Sequence, residues 1–277
     1  MKNTYKIIVL LLVTLFSSCT DVVDIDLDTA PPKLVVEAFI NWEKGTTGNQ
    51  QTIKLTTTGS FYTNTVPIVS GATITVTNSS SVVFNFTEIP NTGKYECNNF
   101  VPLINETYTL LVIANGQTYT ATETLKPVTP ITTVTQDSNG GLSGNKIQLK
   151  ANFQDPLATE DFYLFNYTYP NIIKPDFYST DDLFFNGNNF FSVLQETNNA
   201  TDLEVGNAIT ITHFGVSKNH YNYLAKLLSI SGNSGGSPFQ SPPATVRGNV
   251  INQTNFDNYP LGFFNLSESD KETYTIQ

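Results

Sequence analysis

The chain has 277 residues and sets 14 Lys and Arg against 24 Asp and Glu, a formal charge of −10 at neutral pH. Such an acidic balance argues against nucleic acid and anionic lipid as partners recognised by bulk charge. Thr, Asn, Tyr and Phe are plentiful while Ala, Met, Lys and Glu are sparse, which is the composition of pleated sheet and not of helix.

In chain order the first feature is a leader. Lys2 and Lys6 supply positive charge, residues 7–16 form an apolar run broken by Thr14, and Ser17 and Ser18 lead to Cys19. The run is too short to cross a hydrocarbon layer of about 30 Å, so it reads as a cleaved export signal. Leu15-Phe16-Ser17-Ser18-Cys19 resembles the lipobox of bacterial lipoproteins, with Phe16 where that family usually has Leu, Val or Ile. The resemblance implies that residues 1–18 are removed and that Cys19 is acylated and holds the chain to a membrane. Losing Lys2 and Lys6 leaves 12 basic residues against the 24 acidic ones, a charge of −12. Thr20 follows the cysteine, so the inner-membrane retention pattern with Asp in that place is absent and the outer membrane is expected.

Residues 19–32 form the lipidated N-terminus, in which Asp21, Asp24, Asp26 and Asp28 interleave with Val22, Val23, Ile25 and Leu27. Asp24, Asp26 and Asp28 imitate the start of an EF-hand loop. The imitation fails at Thr29, where Gly is required, and at Val35, where a bidentate Glu is required. A first strand or tether is the plainer reading. Asp28-Thr29-Ala30 also matches a short bacterial O-glycosylation pattern, which makes Thr29 a candidate modification site.

Alternating segments at 33–40, 51–57, 73–77, 82–87 and 93–97 predict strands, parted by Gly, Pro, Asn and Ser clusters. Segments 108–114 and 117–124 flank Asn115-Gly116, whose tolerance of positive φ predicts a hairpin. This spacing predicts an immunoglobulin-like β-sandwich over 33–126. Lys126-Pro127-Val128-Thr129-Pro130 reads as a domain boundary. A second β-sandwich-like domain is expected over 131–277, with strands at 146–153, 162–169, 207–217, 245–251, 261–265 and 273–276. One short α-helix is expected at about 218–231, capped by Ser217 and ended by Gly232. No internal repeat at a fixed period is visible.

No defensible catalytic set emerges. Gly232-Asn233-Ser234-Gly235-Gly236 imitates a serine-protease nucleophile loop, but no His and carboxylate stand in supporting motifs. His213 shares a strand face with Ile209 and Ile211 and reads as a core residue. His220 falls near N3 of the helix, and the pair lacks further metal ligands. Asp181 and Asp182 read as a solvated turn, because adjacent carboxylates on an extended chain point apart. Cys97 alternates with Tyr95 and reads as a small buried hydrophobe. No phosphate-cradling loop occurs, and no cofactor or metal is expected.

Several stretches resemble a family of uncharacterised Gram-negative lipoproteins, domain-of-unknown-function family 4249. They are residues 19–27, Pro32-Lys33-Leu34-Val35-Val36-Glu37, residues 69–76 and 119–124, residues 233–239, Pro242-Pro243-Ala244, Val246-Arg247-Gly248-Asn249, and Leu261-Gly262-Phe263-Phe264. Members are commonly encoded beside TonB-dependent outer-membrane receptors. The resemblance implies a non-enzymatic, lipid-anchored accessory of such a receptor, with Pro242, Pro243, Arg247 and Asn249 as a candidate partner-contact loop. The aromatic and Asn-rich stretch 162–191 suggests an alternative, a surface glycan-binding or adhesive module, and a glycan or peptide is a candidate ligand.

Overall fold

The computed structural model describes residues 31–60, 65–141, 144, 146–170, 175–195, 203–231 and 246–277. The leader, Cys19, the aspartate-rich strand or tether, Thr29, Pro242, Pro243 and the Gly232 loop therefore lie outside the described residues. Everything below concerns the unit Pro32–Gln277.

The first body is built from seven strands: β1 (Leu34–Glu43), β2 (Gln51–Thr57), β3 (Thr73–Asn78), β4 (Val83–Ile89), β5 (Lys94–Cys97), β6 (Thr107–Ala114) and β7 (Gln117–Thr124). Strands β1, β2 and β5 pair in that order, and β4, β3, β6 and β7 form the facing layer. β4 joins the two, pairing with β3 through Phe84 and Phe86 and then with β5 through Thr87, Glu88 and Ile89. Period-2 alternation turns one apolar set inward from each layer. Val36, Ala38, Ile40, Ile53, Leu55 and Tyr95 meet Ile74, Val76, Leu110 and Val112 in one core. Cys97 is buried in that core, as expected. Asn115 and Gly116 both adopt positive φ in the predicted hairpin, where Ala114 pairs with Gln117.

Tyr108 fixes one end of this sandwich. Its hydroxyl accepts the Leu103 N–H and donates to the Val101 carbonyl, both at 3.0 Å. A tyrosine near the start of the sixth strand, bonded back to the preceding turn, is the tyrosine corner of immunoglobulin-like sandwiches.

The second body repeats the arrangement with β8 (Ile131–Gly140), β9 (Lys146–Gln154), β10 (Phe162–Thr168), β11 (Asp176–Asp181), β12 (Asn189–Gln195), β13 (Ala208–Val216) and β15 (Leu261–Thr275). β12, β9 and β8 form one layer, and β11, β10, β13 and β15 form the other. Position by position this is the strand order of the first body, so the chain is a topological duplication that its sequence does not display. Leu149, Ala151 and Phe153 pack on Tyr163, Phe165, Tyr167, Ile209 and Ile211 between the layers.

The second copy differs by an insertion between its last two strands. It contains α1 (Lys218–Ser231) and the two-residue β14 (Ile251–Asn252). Ser217 Oγ accepts the His220 N–H at 3.1 Å, which is the predicted N-cap. Leu224 packs with Phe162, Leu164 and Val216, so α1 covers the outer face of β10 and β13. β14 then pairs with the edge of β7, and β15 runs parallel to β1 from Val35↔Leu261 to Glu43↔Ser269. Beyond Ser269 the same strand pairs with β13 and closes the second body.

The sequence predicts two short strands where β15 is one strand of 15 residues. Its middle, Ser267-Glu268-Ser269-Asp270, is polar enough to read as a loop, yet Ser267, Glu268 and Ser269 are buried. β8, β11 and β12 have no counterpart in the sequence reading, because their alternation is weak and their neighbours are rich in Asn.

Candidate functional site

The outer face of β1 and the exposed side of α1 do not close on each other. They leave an open groove of about 550 Å³ lined by Val35, Phe39, Tyr223, Leu227, Ile230 and Leu261, with Val246 and Gly262 also on its wall. Phe39, Leu227 and Ile230 remain exposed. Glu37, the carboxylate on the wall, is held by Lys54 at 3.1 Å. Burial, with a smaller contribution from Glu37, pushes the Tyr223 hydroxyl above its ordinary pKa. The groove therefore offers apolar surface with an edge of polarity at Glu37 and Tyr223.

His220 is buried behind Phe39 among rings, 4.8 Å from Phe263 and 5.8 Å from Phe39 between centroids. Burial lowers its pKa to about 3, against a smaller opposing contribution from the Asn265 side chain. His213 lies in the second core, stacked on Phe165 at 4.2 Å and 9°, and burial lowers its pKa to about 3 as well. His213 is a core residue, as the strand pattern predicts. The two histidines occupy separate aromatic environments.

The Arg-Gly-Asn segment beside the groove is a clasp. The Asn249 side chain donates to the Phe264 carbonyl at 2.8 Å and accepts the Phe264 N–H at 2.9 Å, imitating a strand neighbour of β15. A Cβ on Gly248 would lie 1.6 Å from the Gly262 oxygen, and one on Gly262 would lie 2.0 Å from the Val36 oxygen. Three backbones thus cross where only glycine fits. Arg247 is exposed, with its guanidinium 3.6 Å from the Tyr259 ring centroid. Of the candidate contact residues, Arg247 faces solvent and Asn249 is spent on internal pairing. Val250, which follows them, belongs to the core of the first body.

Sequence reasoning missed one polar constellation. Asp155, Asp161 and Asp182 bring carboxylate oxygens within 4.8 Å of one another, and Asp155 and Asp182 are buried. Asp182 is therefore not the solvated turn residue its position beside Asp181 suggests. Tyr163 donates to Asp155 at 2.6 Å, Gly187 N–H donates to the other Asp155 oxygen at 2.9 Å, and Asp161 N–H donates to Asp182 at 2.9 Å. Burial raises the Asp161 pKa, with a smaller contribution from the two neighbouring carboxylates. Oxygen donors at such spacing suit a hard cation. The bonds already made also tie the loop after β9 to the loop after β11.

A model of the family described as "Domain of unknown function (DUF4249)" matches residues 20–273. The chain belongs to that family. No curated protein matches it significantly. Among solved structures, a two-domain fibronectin type-III segment of chicken tenascin is similar at 14% identity and a TM-score of 0.21, covering 66% of this chain and 90% of that one. A DUF4785 family protein from Legionella pneumophila is similar at 7% identity and a TM-score of 0.26, covering 66% and 52%. A cytokine receptor complex is similar at 9% identity and a TM-score of 0.25, covering 68% and 87%. Within the matched residues, Gly248 lies against β15 and Gly262 against β1, each too close for a side chain.

Proposed function

We propose that this DUF4249 member is a non-enzymatic lipoprotein, held to the outer membrane through acylated Cys19, that binds a membrane partner such as a TonB-dependent receptor. The observation that carries the docking role is the open groove between α1 and β1, where Phe39, Leu227 and Ile230 stay exposed around a cavity of about 550 Å³. Apolar side chains around an open cavity fit a protein surface better than a small polar substrate. The leader and Cys19 supply the location, and the duplicated sandwich supplies a rigid wall for the groove. The partner's identity rests on the family resemblance.

Solubilisation in mild detergent followed by affinity capture of the full lipidated chain tests this reading. An outer-membrane channel should co-purify with the natural chain and be lost with Leu227→Glu. A complex that survives Leu227→Glu, or a capture without any channel, overturns it.

One observation favours a second reading. Phe177 and Tyr178 on the edge strand β11 are each 45% exposed, and Phe184 is 91% exposed. Exposed rings stack on sugar faces. Binding to a glycan array that is lost in Tyr178→Ala would favour the glycan-binding module, and failure to bind removes it.

A further inference from the structure

The end of the first body where the described chain begins carries a second surface. Strand directions bring the starts of β1 and β15, the end of β2 and the β6–β7 hairpin to that end, through the pairs Leu34↔Thr57, Val35↔Leu261 and Ala114↔Gln117. Lys33 N–H donates to Thr58 Oγ1 at 3.0 Å, and Lys33 Nζ lies 3.4 Å from the Tyr259 ring centroid. Arg247, the single arginine of the chain, lies on the same ring. Around this pair of cations, Phe256 is 71% exposed and Val66 61% exposed. Phe256, Tyr259 and Arg247 line one hollow, and Val66 is joined to the Lys33 strand pair through the Thr57 N–H bond to Pro67.

We infer that this end seats on a phospholipid surface, with Phe256 and Val66 entering the boundary between headgroups and acyl chains and Arg247 with Lys33 meeting lipid phosphates. The inference rests on anchoring through Cys19. Fourteen positions separate Cys19 from Lys33, so this is the end of the body at which the tether from the anchor joins. Among the described acids toward this end, Asp257 follows Phe256, Glu88 is occupied by the Gly71 N–H at 2.8 Å, and Glu37, further along β1, is held by Lys54 at 3.1 Å. The acidic balance of the whole chain opposes an anionic sheet, so the surface that fits is zwitterionic lipid, met by local apolar insertion. The consequence is orientation. β15 starts at this end and spans about 45 Å or more, at roughly 3.3 Å per residue, so the second body is held away from the membrane.

The test uses the full lipidated chain in vesicles of phosphatidylcholine and phosphatidylethanolamine. A nitroxide is placed at Phe256→Cys or, for comparison, at Leu103→Cys on the opposite end of the same body. Cys97 is buried and Cys19 is acylated, so each variant takes one label. At position 256 collision with a water-soluble nickel chelate should fall by roughly threefold or more relative to 103, and collision with oxygen should rise. Flotation with equal accessibility at both sites overturns the inference and leaves the anchor standing. Loss of flotation overturns the anchor and the inference together.

Discussion

Glu268 Oε2 accepts the Val128 N–H at 2.9 Å across 140 positions of sequence. The same carboxylate is 2.7 Å from Lys44 Nζ, and Asp270 Oδ2 accepts the Ile131 N–H at 2.7 Å. Two acids in the middle of β15 thus hold the linker between the bodies, while Phe264 and Leu266 enter the first core and Ile276 enters the second. Removing one partner of such a buried network leaves donors without acceptors. Glu268→Ala should cost about 2–4 kcal/mol in denaturant unfolding. Because β15 belongs to both bodies, the natural chain should unfold in one transition followed alike by fluorescence and circular dichroism. Two separated transitions would show that the strand does not couple them.

Gly248→Ala should be among the most damaging single changes in the chain. Its Cβ would meet the Gly262 oxygen at 1.6 Å, and the obstacle is backbone that cannot rotate away. We expect a loss of at least about 3 kcal/mol in chemical denaturation, against about 1–2 kcal/mol for Gly116→Ala, whose Cβ would meet open space but whose φ is +70°. Equal costs at the two sites would contradict the crossing.

Tyr108→Phe removes a donor and an acceptor from the corner while keeping the ring in the core. It leaves the Leu103 N–H and the Val101 carbonyl without their partner, at a cost of about 1–3 kcal/mol. Thermal unfolding monitored by far-ultraviolet dichroism checks it, and an unchanged midpoint would show that the hydroxyl contributes nothing.

The buried histidines give a pH dependence of known sign. Both are held neutral in the folded state, with pKa values of about 3 against an ordinary 6.5. Between these values the unfolded chain binds the extra proton, so stability is complete above 6.5 and falls as pH drops toward 3. The slope is at most about 1.4 kcal/mol per pH unit for each histidine. Burial raises the pKa of Glu123 and Asp161, and those two oppose the loss just above the ordinary carboxylate range. His213→Phe should flatten the decline, as measured by urea unfolding between pH 4 and 7. An unchanged slope would contradict the neutral buried ring.

Much of the first body was legible because its strands are half-buried in the ordinary way, with one apolar face and one wet face, as in β6 and β7. The helix was legible from its cap and its apolar spacing. The duplication was not, since the two copies share strand order without sharing residues. β15 was split because its polar centre satisfies itself on the linker backbone, a tertiary fact that no local pattern carries. The groove was out of reach for the same reason: Phe39 and Leu227 are ordinary surface residues until the fold brings their elements side by side. Arg247-Gly248-Asn249 could be singled out by resemblance, but its clasping role needed the neighbouring backbone.

Location is the claim on which the proposed function depends, and it rests on one sulfur atom. Labelled palmitate fed to cells producing the full chain should enter the mature protein, and Cys19→Ala should abolish the label and release the protein from the membrane fraction. A chain that takes up no label, or a Cys19→Ala variant that stays membrane-bound without it, would contradict the account.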